Sequence, residues 1–226
     1  MVLTWPRPCR LFLFDLDGTL IDSKQDIALS VNLSLAHLRL PELPVTRVVT
    51  FVGDGVKKLI ERSLREATGS QPGEEQIRAV MKRFLQEYGN HLLDNTRLYP
   101  GVREALDQLS WADFGIITNK PEISSRRILE GLGLGGRFCI ILGGDSIPQR
   151  KPDPAPLYAA MARCRAPVDH TAMVGDSPVD VQAGRAAGVI TCGISGGFRG
   201  RGELEAAGCD LLIENFSELP GYFCPP

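Results

Sequence analysis

Between Leu98 and Ile194 the chain changes character about every ten residues. A helical stretch carrying Val102, Ala105, Leu106 and Leu109 gives way to the strand-like run FGIITN. Then come PEISSRRILEGLG, FCIILGGD, PAPLYAAMARC, TAMVGD, PVDVQAGRAAG and VITCGI, helix and strand in turn. Parallel strands need a crossover between them, and a helix is the usual one, so this rhythm predicts βαβ units and a parallel sheet with helices on both faces. The run LFLFDLDGTL near the start supplies a further strand, but the residues after it keep a different period. Ile27, Val31, Leu35 and Leu38, then Val56, Leu59, Ile60, Leu64 and Ala67, then Ile77, Val80, Met81, Phe84, Leu85, Tyr88 and Leu92 recur at helical spacings. The turn-rich LPELP and TGSQPGE separate them. The expected architecture is a doubly wound α/β core of residues 1–22 and 96–226, with an all-helical cap, residues 23–95, inserted after the first strand.

Ligands of such sheets bind beyond the carboxyl ends of the strands. Those ends carry Asp15 and Asp17, then Thr118 and Asn119, then Lys151 in the loop after CIILGGD, then Asp176 with Asp180 four residues on. A carboxylate is costly to desolvate without a partner. Acids that converge with one hydroxyl and one ammonium are matched to a divalent cation and a phosphoryl group. Mg²⁺ suits a site with few protein carboxylates, because it keeps waters and shares phosphate oxygens. Asp15 is placed to attack phosphorus. Asp17 is placed to protonate the leaving oxygen and then to activate water, and its main-chain carbonyl is in reach of the metal. The Thr118 hydroxyl, the Asn119 N–H and Lys151 would hold the non-bridging oxygens. Asp176 is an expected metal ligand, Asp180 a ligand or the residue that orients one. Gly18 lets backbone N–H groups approach an anion.

The motifs DLDGT (Asp15 to Thr19), TN at Thr118, RKPDP around Lys151 and GDSPVD around Asp176 resemble, in order, the four motifs of the haloacid dehalogenase superfamily. The split core and helical insert resemble its members with a cap between the first two motifs. GDGVKKLI, LYPGV, ITNKP, GGDSIPQRKPDP and GDSPVDVQAGRAAG resemble the phosphoglycolate phosphatase branch. The resemblance implies Mg²⁺-dependent hydrolysis of a small phosphate monoester, 2-phosphoglycolate foremost, through an aspartyl-phosphate on Asp15. Phosphatases of sugar phosphates and a phosphosugar mutase resembling β-phosphoglucomutase remain alternatives. A haloacid dehalogenase would need neither metal nor Asp17, and a non-catalytic binding protein would not need every catalytic position filled.

Two glycines before a helix, in FVGDGVKKLIERSL, suggest that Gly53, Asp54 and Gly55 form a substrate-selecting loop, with Lys57 or Lys58 near a substrate carboxylate. Asp22 and Ser23 are expected to cap the first cap helix. GISGGFRGRG follows the last strand of the series and opens no capped helix, so it reads as a mobile loop beside the site rather than a dinucleotide fingerprint. His91 is expected on the apolar face of the third cap helix, in a packed or interfacial role. The six scattered cysteines read as reduced thiols. With 25 basic and 27 acidic residues the chain has no electrostatic footprint for nucleic acid or an anionic membrane. No run spans a bilayer, and MVLTWPRPCRLFLFD is unlike a secretory signal. The expectation is a cytoplasmic enzyme, monomer or homodimer, whose partner is a small phosphate ester.

Overall fold

The computed structural model describes residues 4–226; residues 1–3, part of the span read as core, lie outside them. The chain enters through β1 (Arg7–Pro8) and β2 (Leu11–Phe14), turns, and forms β3 (Ile21–Asp22). Four helices come next, α1 (Lys24–Ala36), α2 (Val45–Val49), α3 (Val56–Thr68) and α4 (Glu74–Asn90). β4 (Arg97–Leu98) then returns antiparallel beside β3, so the two ends of the helical insert are clasped together. Alternation begins there, with α5 (Val102–Gln108), β5 (Asp113–Ile117), α6 (Glu122–Gly131), β6 (Ile140–Leu142) and α7 (Ala155–Cys164). It continues through β7 (Thr171–Gly175), α8 (Pro178–Ala187), β8 (Ile190–Ile194), α9 (Arg201–Ala207), β9 (Leu211–Ile213) and β10 (Phe223–Cys224).

Six strands form one parallel sheet in the order β6-β5-β2-β7-β8-β9, which is the α/β fold expected from the alternation. β2 sits in the middle because its four residues, LFLF, are all fully buried and so can be covered on both faces. Its side chains alternate: Phe12 and Phe14 join the larger core, which reaches into the inserted helices, while Leu11 and Leu13 join the smaller one with Leu157, Met161 and Ala183 of α7 and α8. The sheet grows in opposite directions from β2, first to β5 and β6, then to β7, β8 and β9. The reversal leaves a crevice at the carboxyl ends of β5, β2 and β7.

In three places the structure goes beyond the sequence reading or departs from it. The sheet does not end at VITCGI: α9 opens at Arg201 inside the glycine-rich segment, and β9 adds an edge strand. A three-residue strand and a seven-residue helix are too short to show a period. Cys139 and Cys164 are joined in a disulfide with Cα atoms 6.7 Å apart, which corrects the expectation of six reduced thiols. Their separation of 25 positions in the chain hides a contact made because α7 packs on β6. His91 lies just past the end of α4 rather than on its apolar face; it is half-buried and meets Asp94 through Nδ1 at 2.6 Å. Among the described residues no helix is long and apolar enough to cross a membrane.

Candidate active site

The strand ends bring the expected residues to one crevice. Asp15 follows β2, and its N–H donates to the Val174 carbonyl of β7 at 2.9 Å; Thr118 follows β5, and its N–H donates to the Leu142 carbonyl of β6 at 3.0 Å. Lys151 is 3% exposed, and its Nζ lies 2.9 Å from Asp15 Oδ1 and 2.6 Å from Asp180 Oδ1. The other oxygen of Asp180 accepts from the Ser177 N–H at 3.1 Å and the Ser177 hydroxyl at 2.6 Å. Asp180 thus closes the first turn of α8 and holds the lysine against Asp15. Asp176 accepts from the Phe198 N–H at 2.6 Å and the Thr19 hydroxyl at 3.3 Å.

Asp15, Asp176 and Asp180 each offer a carboxylate oxygen, all within 4.8 Å of one another. One ammonium does not balance that crowd. Burial raises the Asp15 pKa to about 6, with Lys151 pulling it down and Asp180 pushing it up. Burial and then the charges of Asp15 and Asp180 hold Asp176 well above the carboxylate range. A buried all-oxygen set short of positive charge is the chemistry of a site for a hard divalent cation. Gly18, at φ +85°, turns the chain past this cluster, and a Cβ there would collide with the Asp176 carboxylate.

The Asp17 carboxylate stands apart from the cluster. Lys120 Nζ reaches both its oxygens at 2.8 Å, and the Ser23 hydroxyl donates to it at 2.5 Å. Ser23 therefore does not cap α1 with its side chain; Asp22 accepts from the Lys24 N–H instead, at 3.3 Å. Asp17 is also an expected metal-site residue, but its side chain is taken up by Lys120 and Ser23. The Asn119 side chain donates to the carbonyls of Gly53 and Lys151, both at 2.9 Å, and so stitches the inserted helices to the core loop. Its Oδ1 is buried without a partner.

Facing the strand ends is a cleft with about 520 Å³ of empty space. Asp15, Asp17, Thr118, Asn119 and Lys120 form its floor; Val52, Val56, Leu59, Phe84 and Tyr88 of the insert form an apolar roof. Gly53 and Gly55 line it as the loop hypothesis expects, Gly55 at φ +86° just ahead of α3. The charged neighbours do not. Asp54 pairs with Arg62 at 2.5 Å, Lys57 with Glu74 at 2.9 Å, and Lys58 with Glu61 at 2.8 Å. Val56 and Leu59 turn inward, so the positions beside Val56 fall on the half-exposed outer face of the same turn. GISGGFRGRG does lie beside the site: besides the Phe198 contact, Arg199 donates to the carbonyl of Val52 at 2.6 Å.

Sequence reasoning does not single out Lys120 or Tyr88. Lys120 stands within ITNKP, and its position next to the second strand end is a signal that could have marked it. Tyr88 reads as part of an apolar helix face, and nothing in the sequence marks it further.

The sequence profile of a family described as haloacid dehalogenase-like hydrolase matches residues 12–194. A phosphoglycolate phosphatase of Haemophilus influenzae is 37% identical over 215 residues, covering 93% of this chain and 96% of that one. One of Chromobacterium violaceum is 37% identical over 208 residues, covering 91% and 92%. The crystal structure of a "predicted phosphoglycolate phosphatase" from Haemophilus somnus superposes with a TM-score of 0.88 at 31% identity, covering 93% of this chain and 96% of that one.

Proposed function

The chain belongs to the haloacid dehalogenase-like hydrolases, and from that premise we propose that it hydrolyses 2-phosphoglycolate to glycolate and phosphate. The reading is carried by one observation: Lys151 holds Asp15 at the floor of a cleft, beside a cation-deficient carboxylate cluster, in a chain similar along nearly its whole length to phosphoglycolate phosphatases.

An Asp15 oxygen attacks phosphorus opposite the ester oxygen; the new P–O bond forms as the old one breaks. Asp17, aimed by Ser23 and Lys120, gives its proton to the departing glycolate oxygen. It then takes a proton from water, whose oxygen attacks the aspartyl-phosphate and frees phosphate and Asp15. Lys151, the Thr118 hydroxyl and the Asn119 N–H hold the equatorial oxygens, where charge accumulates. Asp15, Asp176 and Asp180 would hold Mg²⁺, with the Asp17 carbonyl as an added donor; when bound, the ion neutralises phosphate charge. Residues 23–95 act as a cap that selects the ester, with Gly53 and Gly55 as its contact loop.

The test is phosphate release with Mg²⁺ across 2-phosphoglycolate, hexose and pentose phosphates, glycerol phosphate, nucleoside monophosphates and pyrophosphate. We expect kcat/KM for 2-phosphoglycolate at least about tenfold above the rest. A flat profile would remove the substrate and leave the chemistry. Full activity in Asp15→Asn would remove both.

A further inference from the structure

The hydrolysis proposed above leaves Lys120 and Tyr88 only half explained. A substrate bearing a carboxylate one methylene from its ester oxygen brings a second anion into a cleft that already holds Asp15 and Asp17. Some cation has to meet it. Among the described residues lining the cleft, Lys120 is the one cation, since Lys57 and Lys58 point outward to glutamates of their own. Its side chain is 5% exposed, so its charge is focused into the cleft rather than dissipated in water. Two of its donor directions go to Asp17. On another side Nζ lies 4.5 Å from the ring centre of Tyr88.

Tyr88 supplies an independent sign of a ligand. It descends from α4, is 2% exposed and lines the same cleft, yet its hydroxyl has no hydrogen-bond partner. A buried hydroxyl left unpaired carries its full desolvation cost, so such groups are normally satisfied by water or by a bound ligand. The rest of the roof, Val52, Val56, Leu59 and Phe84, offers no polar contact. One fixed ammonium from the core and one free hydroxyl from the insert therefore meet in an otherwise apolar corner, next to the carboxylate that serves the leaving oxygen.

We propose that Lys120 and Tyr88 form the subsite for the substrate's carboxylate, and that this pair selects carboxylated phosphate esters over neutral ones of the same size. The carboxylate accepts from both the ammonium and the phenol. A neutral hydroxyl accepts from one of them and leaves the buried ammonium without added compensation. The spacing agrees: Lys120 lies one hydrogen bond beyond Asp17, and the carboxylate lies one methylene beyond the oxygen that Asp17 protonates.

This inference rests on the phosphatase reading, and one experiment separates the two. Steady-state rates are measured for 2-phosphoglycolate and for 2-hydroxyethyl phosphate, in which CH₂OH replaces the carboxylate, with the parent enzyme, Lys120→Met and Tyr88→Phe. We expect Lys120→Met to lower kcat/KM for the carboxylated ester at least about tenfold more than for the neutral one, mainly through KM, and Tyr88→Phe to show a smaller bias in the same direction. Equal losses on both esters in Lys120→Met would overturn the proposal and leave the lysine a positioning residue for Asp17. If Lys120→Met does not fold, Tyr88→Phe decides alone, because it removes one oxygen atom; no bias there overturns the proposal. A parent enzyme that hydrolyses neither ester but cleaves other phosphate esters would overturn the phosphoglycolate reading, and the carboxylate subsite with it.

Discussion

Asp26 is the residue whose replacement tests the architecture most directly. It sits in the first turn of α1, fully buried, where an unpaired carboxylate would be intolerable. The chain returning from the insert satisfies it: Asp26 accepts from the Asn95 N–H at 2.9 and 3.0 Å, the Asn95 side chain at 2.9 Å, the Thr96 N–H at 2.8 Å and the Thr96 hydroxyl at 2.7 Å. Burial works to raise its pKa, but the donors of Thr96 and Asn95 outweigh it and hold the carboxyl below the ordinary carboxylate range. Asp26→Asn keeps the shape but turns one oxygen into an N–H₂ that faces donors. Hydrogen bonds to a charged group contribute about 1.5–3 kcal/mol each, and one or two are lost, so the cost is about 1.5–6 kcal/mol. For a chain of this size, at about 2–4 °C per kcal/mol, that is a Tm lower by about 3–24 °C. Because the folded pKa is depressed, the contribution is fully present above the unfolded value and is lost as pH falls through the folded one. Urea unfolding of parent and variant should therefore give a gap that is constant from pH 7 to pH 5 and closes only below about pH 4. A gap under about 1 kcal/mol at pH 7 would refute the reasoning. So would one that closes between pH 7 and pH 5, since a carboxylate with a depressed pKa cannot titrate there.

The site itself sets three further outcomes. Asp15→Asn should lower kcat at least about 10³-fold with the fold intact by circular dichroism, since it removes the nucleophile and little else. Replacing Lys57 and Lys58 together by Ala should change kcat/KM for 2-phosphoglycolate less than about twofold, because exposed ion pairs contribute little and both side chains face away from the cleft. Asp15 and Asp176, with pKa values raised in the folded protein, oppose folding as pH rises from their unfolded values through the folded ones. Added Mg²⁺ should therefore raise Tm more at pH 7.5 than at pH 5, by calorimetry on EDTA-treated protein, and an equal rise at both would argue against carboxylate ligation.

The residues whose positions are legible in the sequence are those that secondary structure alone can place. Asp15, Thr118 and Asp176 each follow a short apolar run by one residue, so a parallel sheet puts them at one edge, whichever helices intervene. Lys151 and Asp180 lie on the connections that leave or enter those ends, and the same topology brings them together. The residues that escape are those whose role depends on side-chain direction. Lys57 and Val56 are neighbours in sequence, yet helix geometry turns one toward Glu74 and the other into the cleft. Ser23 looks like a helix cap because serine often is one, its oxygen accepting from the first N–H groups of the helix; here its hydroxyl donates to Asp17 instead, a charge-assisted bond that outweighs the cap at a partly solvated helix end.

The same distinction explains why chemistry is easier to read than selectivity. A phosphoryl-transfer floor is built from strand ends fixed by a backbone hydrogen-bond ladder, so its residues recur at topologically defined points. The roof is built from Val52 and one face each of α3 and α4, and which face turns inward depends on how the insert docks. That docking is set by long-range contacts: Asp26 to Asn95 and Thr96, Asn119 to Gly53, and Arg199 to Val52. They join residues 66 to 147 positions apart in the chain, and no local pattern announces any of them. Tyr88 becomes part of the site only after those contacts have brought α4 over Lys120. Selectivity is thus a property of the docked insert. Substitutions that loosen the docking, such as Asp26→Asn, should blur discrimination between esters more than they slow the attack by Asp15, whose placement rests on core elements, the sheet and Lys151.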